Sequence, residues 1–192
     1  MRERVIEQIR DNIELKRKVL ADEVMLKTIQ LIAMACVQCF RSGGKVLLCG
    51  NGGSAADAQH IAAELSGRFR MERPALYAES LTVNTSSLTA ISNDYGFEQV
   101  FARQVEAMGA KGDILVALST SGNSANVVNA LKQAQQKGMT CIGLTGADGG
   151  QFSAVCELLI KVPSTDTARI QETHILIGHL VCSLVEHEMF SK

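Results

Sequence analysis

The amino-acid sequence predicts an α/β fold: a three-layer αβα sandwich on a five-stranded parallel sheet, preceded by an N-terminal helical arm. Three observations carry that expectation. Five short apolar runs, at 45–50, 75–83, 113–118, 140–145 and 158–162, alternate with stretches of helical periodicity. Such alternation means a parallel sheet covered by helices on both faces. Two of the runs end in glycine-rich turns that lead straight into helices. The length of 192 residues suits one domain, which at that size buries roughly 70% of its unfolded surface and needs no disulfide or metal to hold a core.

Residues 1–42 read as two amphipathic helices. Val5, Ile9 and Ile13 make one stripe, and Leu26, Ile29, Ala33, Cys36, Val37 and Phe40 make a stronger one at three-to-four spacing. Ser42-Gly43-Gly44 ends this arm and leaves 43–192 as the main domain. The arm packs either on its own domain or on another subunit. The first strand, 45–50, leads into a helix over 54–67. The second, 75–83, is the least regular, because Tyr77-Ala78-Glu79-Ser80 is too polar for a strand buried on both faces. A helical stretch over 86–107 breaks at Asp94-Tyr95-Gly96. Strand 113–118 precedes a helix over 125–137, strand 140–145 a short turn of helix near Gly150, and strand 158–162 a last helix over 167–189.

Composition narrows the function classes. The net charge is −1 with basic residues dispersed, which argues against a nucleic-acid partner. Aromatic content of 4% without Trp leaves few platforms for stacking single strands. The charged N-terminus lacks a signal-peptide apolar region, and no apolar run is expected to span a membrane. Six cysteines, four of them inside apolar runs, fit reduced thiols in a cytoplasmic protein. Cys36 and Cys39 have CxxC spacing, but in mid-helix and with no second pair.

Chemistry concentrates at the ends of two strands. Ser119-Thr120-Ser121-Gly122-Asn123-Ser124 joins a buried strand to a helix start. Hydroxyl donors, free backbone N–H groups and a helix N-terminus form an anion site, although an ordinary capped helix start explains the same residues. No lysine lies in the turn, so it is not a nucleotide P-loop; a compact sugar phosphate suits it better. Gly50-Asn51-Gly52-Gly53-Ser54 is a second such turn, with Ser54 as the expected N-cap. Both turns follow strands, so both open on one edge of the sheet, where ligands of such folds bind.

On the helix after Ser54, His60 and Glu64 share one face, four residues apart. That spacing serves two ligands of one metal, a ligand and a base, or an exposed polar pair. In the last helix Gln171, His174 and His179 fall in apolar surroundings. Gln171 and His179 would lie about 12 Å apart along a regular helix axis. For both to reach one metal, the helix must be irregular near Gln171 or ligands from different subunits must meet. Asn93-Asp94 could hydrogen-bond sugar hydroxyls or simply form the turn. His187 is expected to be exposed.

Together, Gly50-Asn51-Gly52-Gly53-Ser54, Asn93-Asp94, the serine loop and Arg169-Ile170-Gln171-Glu172 resemble the sugar isomerase (SIS) family, and within it the branch acting on seven-carbon ketose phosphates. The resemblance covers essentially the whole chain. It implies a flavodoxin-like SIS fold, a cytoplasmic homotetramer with active sites between subunits, and one Zn2+ per subunit. It further implies conversion of sedoheptulose 7-phosphate to D-glycero-D-manno-heptose 7-phosphate, the first step toward the heptose of lipopolysaccharide. Carried over, the zinc ligands are His60, Glu64, Gln171 and His179. The phosphate loop is Ser119, Thr120, Ser121 and Ser124, and further substrate contacts are Asn51, Gly52, Gly53, Ser54, Glu64, Asn93, Asp94 and Gln171, with Arg68 a weaker candidate. An enediol route needs a base near C1 and C2 and an acid near the carbonyl oxygen; Glu64 is the candidate base and His179 the candidate acid. Thr167-Ala168 precedes Arg169 where some relatives carry an acidic residue, so any role of that residue is missing here or passes to nearby Asp166.

The chief rival is a non-catalytic adaptor on the same fold that binds the bacterial replication initiator. Members of that group lack residues matching Glu64 and His179, and this chain has both. A sugar-phosphate sensor would need a DNA-binding domain, and the arm has no helix-turn-helix signature. Etherases of phosphosugars are usually longer.

Overall fold

The computed structural model describes residues 1–191. Two helices, α1 (Arg2–Ala21) and α2 (Glu23–Arg41), precede strand β1 (Val46–Gly50) and helix α3 (Gly53–Ser66). Strand β2 (Ala78–Ser80), helix α4 (Thr85–Tyr95), a 3-10 turn (Phe97–Gln99) and helix α5 (Val100–Met108) follow. Then come β3 (Ile114–Leu118), α6 (Ala125–Gln136), β4 (Thr140–Thr145), a 3-10 turn (Gly150–Ala154), β5 (Leu158–Lys161) and α7 (Thr167–Phe190).

The five strands are all parallel, in the order β2-β1-β3-β4-β5. The order reverses between β1 and β3, and their carboxyl ends carry the two glycine-rich turns. Alternation along each strand sends residues to two cores. Val46, Leu48, Val116 and Leu118 pack with α2, α3 and α7. Leu47, Cys49, Leu115 and Ala117 pack with α5 and α6. These cores are the outer interfaces of the expected three layers.

Asp22 divides the arm, its carboxylate accepting from the N–H of Met25 at 2.9 Å as the cap of α2. The stripe of α2 is the predicted one, with Ile29, Ala33, Cys36 and Val37 buried in the first core. This helix is also long and apolar enough, by length and composition, to cross a membrane. The expectation that no run reaches that length is corrected, and the apolar face is spent on the core instead. Cys36 and Cys39 both lie on that inner face, and burial pushes the Cys39 thiol up to about 11. Such thiols are largely protonated at neutral pH, against a redox role.

Helix α1 buries only Leu15 and Val19. Polar contacts fix it along the start of α7: Lys16 Nζ donates to Thr173 Oγ1 at 2.6 Å, Arg169 Nη1 donates to the Gln8 carbonyl at 2.9 Å, and Asn12 meets Glu172. The stripe of Val5, Ile9 and Ile13 is left exposed.

Two expectations need correction here. The second strand extends over Ala78–Ser80 rather than 75–83. It lies at the sheet edge and pairs only with β1, so nothing draws the polar Tyr77–Ser80 stretch into a longer ladder. Single bonds prolong the pairing at either end, from Val46 N–H to the Tyr77 carbonyl and from Leu81 N–H to the Leu48 carbonyl. Helix α3 begins at Gly53 and is capped by Gly52, whose φ of 56° suits glycine. Ser54 is therefore not the N-cap; it is buried in the first turn against Gly50. The break expected at Asp94-Tyr95-Gly96 occurs at Gly96, between α4 and the 3-10 turn.

Candidate active site

The serine loop closes on itself at the end of β3. Ser119 Oγ lies 3.0 Å from Ser124 Oγ and 3.5 Å from Ser121 Oγ, while Ser121 Oγ accepts from the N–H of Asn123 at 3.1 Å. Ser124 is the N-cap of α6, yet its hydroxyl makes no cap bond to its own helix and remains turned to its neighbours. Gly122 has a φ of 65°, and a Cβ there would lie 2.2 Å from the Gly149 carbonyl oxygen, so the turn requires glycine twice over. Three hydroxyls thus gather at a helix N-terminus, an arrangement able to hold an oxyanion. Beside it opens a cleft of about 230 Å3 lined by Thr120, Ser121, Asp148, Thr165 and Ile170 among others.

The turn after β1 is locked to this loop. Asn51 and Asn126 exchange two side-chain amide hydrogen bonds, each 2.9 Å, and Asn126 is buried. Asn126, in the first turn of α6, was not singled out from sequence. Gly53 lies against Gln171, whose amide would be 2.7 Å from a Cβ at that position. Asn51, Gly52, Gly53 and Gln171 thus share the rim of the sheet.

Farther along α3 and α7, three ligand-type side chains converge. His60 Nε2 lies 2.9 Å from His179 Nε2 and 3.3 Å from Glu64 Oε1, and one ligand atom from each residue falls within 4.8 Å of the others. A tetrahedral zinc with bonds of about 2.0–2.1 Å holds neighbouring donors about 3.3 Å apart. Two imidazoles and a carboxylate converging within 4.8 Å make a donor set of the kind that holds Zn2+. Phe69 stacks on His179, its ring centroid 5.5 Å away at an interplanar angle of 16°.

Gln171 does not sit beside this trio on its own chain. Helix α7 is regular throughout Thr167–Phe190, which removes the irregular-helix option and keeps Gln171 about 12 Å from His179 along the axis. Asp166 caps α7, accepting from the N–H groups of Ala168 at 2.8 Å and Arg169 at 3.3 Å, so its carboxylate is already engaged. Asn93 and Asp94 end α4 on the surface and bond to each other at 2.8 Å. Arg68 is exposed, 3.9 Å from Glu72. His187 is exposed as expected.

Two further features went unread in the sequence. Asp57 precedes His60 by one helical turn, and its Oδ2 is buried without a hydrogen-bond partner. Burial raises this carboxyl to about 6, against the opposing pull of His60. Its three-residue offset from His60 was the only signal available. Glu186 and Arg73 form a buried ion pair next to the trio, with Nε to Oε1 at 3.0 Å. No local pattern links residues so far apart in the chain.

Comparison with known proteins identifies the family and the fold. The SIS domain family matches residues 4–146. The phosphoheptose isomerase of Burkholderia pseudomallei strain 1710b is 57% identical over 173 residues, covering 90% of this chain and 88% of that protein. The phosphoheptose isomerase of Aneurinibacillus thermoaerophilus is 49% identical over 190 residues, covering 99% and 96%. The solved phosphoheptose isomerase of Neisseria gonorrhoeae superimposes with a TM-score of 0.90 at 47% identity, covering 96% of this chain and 98% of its own. The chain belongs to the SIS-domain family, in its phosphoheptose isomerase branch.

Proposed function

We propose that the protein isomerises sedoheptulose 7-phosphate to D-glycero-D-manno-heptose 7-phosphate, the first step toward the heptose of lipopolysaccharide. The observation that carries this reading is the convergence of His60, Glu64 and His179 in a chain 57% identical to a phosphoheptose isomerase. The adaptor reading is not favoured, because both residues said to distinguish it, Glu64 and His179, are present and brought together.

The reaction moves one proton from C1 to C2 through an enediol, while the C2 oxygen gains a proton and O1 loses one. Ser119, Ser121 and Ser124 hold the phosphate, with Thr120 at the cleft, and so place the sugar's far end. His60, Glu64 and His179 would hold one Zn2+ per subunit, and that ion would supply Lewis-acid polarisation of the carbonyl. Glu64 takes the C1 proton, exchanges with solvent and delivers a proton to C2, while His179 gives a proton to the C2 oxygen and takes one from O1. A carboxylate held by a cation is a weakened base. Glu64 turns Oε1 toward His60 at 3.3 Å, so its other oxygen would be left to act as the base.

The site takes a second copy of the chain to complete. Gln171 is two helical turns from the trio, so its amide serves as a ligand to a neighbouring subunit's metal or as a contact to substrate on the rim. The exposed stripe of Val5, Ile9 and Ile13, and an α4 with no buried residue, suit subunit contacts, and a homotetramer is the assembly we assign. Asn93, Asp94 and Arg68, all on the surface, would meet substrate across such an interface. Five of six cysteines are buried and all are unpaired, which suits a cytoplasmic setting.

The test is proton NMR of sedoheptulose 7-phosphate with the purified protein in D2O, with Zn2+ and then with a chelator. Conversion with deuterium entering at C2, lost on chelation, is the expected result. No conversion by the Zn2+-loaded, assembled protein would overturn the isomerase reading.

A further inference from the structure

The Arg73–Glu186 pair is buried at both ends, with each side chain 1% exposed. Glu186 Oε1 accepts from the Phe69 N–H at 2.9 Å and from Arg73 Nε at 3.0 Å; Oε2 accepts from Arg70 N–H at 2.8 Å and Met71 N–H at 3.2 Å. Three successive backbone N–H groups and a guanidinium thus enclose one carboxylate, as in an anion nest. Against the opposing effect of its burial, these hydrogen bonds and the Arg73 charge lower the Glu186 pKa.

Arg73 spends its other donors on the end of α3. Nη2 donates to the Glu64 carbonyl at 2.8 Å, and Nη1 donates to the carbonyls of Leu65 at 2.8 Å, Pro74 at 3.0 Å and Gly67 at 3.2 Å. A cation at a helix C-terminus is favourable in itself. Here it also fixes the backbone of Glu64, a member of the trio. On the opposite side, the Glu186 nest fixes the backbone of Phe69, whose ring lies on His179. A buried ion pair is weak evidence for stability, because desolvation offsets its attraction. What this one provides is a geometry.

We propose that Arg73 and Glu186 are positioning residues for the metal trio. They act on Glu64 through the last carbonyls of α3 and on His179 through the ring of Phe69. The inference rests on the metal reading given above. Neither residue touches substrate; together they set how closely the trio's donors converge before a cation arrives.

Phe69→Leu, which leaves the buried pair intact, and Arg73→Lys, which keeps the charge but loses the planar fork, test this. Zn2+ affinity of the metal-free protein would be measured by competition with a chromophoric chelator, beside kcat, KM and the melting temperature without metal. Phe69→Leu is expected to melt close to wild type yet bind Zn2+ about tenfold more weakly, the low end for groups that orient metal ligands. Its kcat should fall at unchanged KM, and Phe69→Tyr should restore both affinity and rate. Arg73→Lys should move affinity the same way; if it does not fold, the Phe69 pair decides. Wild-type Zn2+ affinity in folded Phe69→Leu would overturn the proposal. A wild-type chain that takes up no Zn2+ would overturn the metal reading, and this inference with it.

Discussion

Replacing His174 should change how stability depends on pH. The side chain lies fully buried in α7, with Nε2 3.2 Å from the Thr145 carbonyl oxygen and Nδ1 buried without a partner. Burial lowers its pKa to about 4, with Lys16 adding a smaller push and the Thr145 carbonyl opposing both. In the unfolded chain an ordinary histidine titrates near 6.5. Between about pH 4 and 6.5 the unfolded state therefore binds the extra proton and the folded state refuses it. Stability from this group is complete above pH 6.5 and is lost as the pH falls toward 4. The whole shift corresponds to about 3 kcal/mol, of which about 2 kcal/mol is gone by pH 5. His174→Gln keeps an amide donor for Thr145 and removes the titration. Urea unfolding of the metal-free wild type and variant at pH 7.5 and 5.0 should show their stability difference moving by about 2 kcal/mol in the variant's favour. A difference that does not move with pH would refute the argument, whatever the variant's overall stability.

Gly122→Ala should lose about 1–2 kcal/mol to its left-handed backbone and more to the contact with Gly149. Its KM for the sugar phosphate should rise as the serine loop opens, which steady-state kinetics would read; an unchanged KM would separate the loop from phosphate binding. Gly53→Ala first meets the flexible end of Gln171, so melting should change little while kcat falls through displacement of that amide. Equal kcat would show that Gln171 has no part in the reaction. Asp57→Asn removes a carboxyl raised to about 6 by burial. The raised group costs stability above that pH and not below the ordinary carboxylate pKa. The variant should therefore gain in melting temperature over wild type at pH 8 and lose that gain near pH 4, both measured in chelator.

Much of this protein is determined locally and can be read directly. The strand runs are apolar because both sheet faces are covered. The serine loop announces itself because hydroxyls and a positive-φ glycine are needed within six residues. His60 and Glu64 share a face because they are four apart on α3. His179 stands out because imidazole is unusual among Ile175, Ile177 and Val181. Other features depend on residues that meet only after folding. Only the packing of α3 alongside α7 brings His179 to His60 and leaves Gln171 two turns away at Gly53. The exchange of amides between Asn51 and Asn126, and the enclosure of Glu186 by residues 69–73, join segments 75 and more than 110 residues apart. The short second strand and the glycine cap of α3 were likewise settled by neighbours, an edge position and a close backbone contact at Gly50. Local periodicity and turn chemistry act over a few residues and so leave their mark on sequence. Convergence of side chains from distant segments is a property of tertiary packing, which has no local period to reveal it.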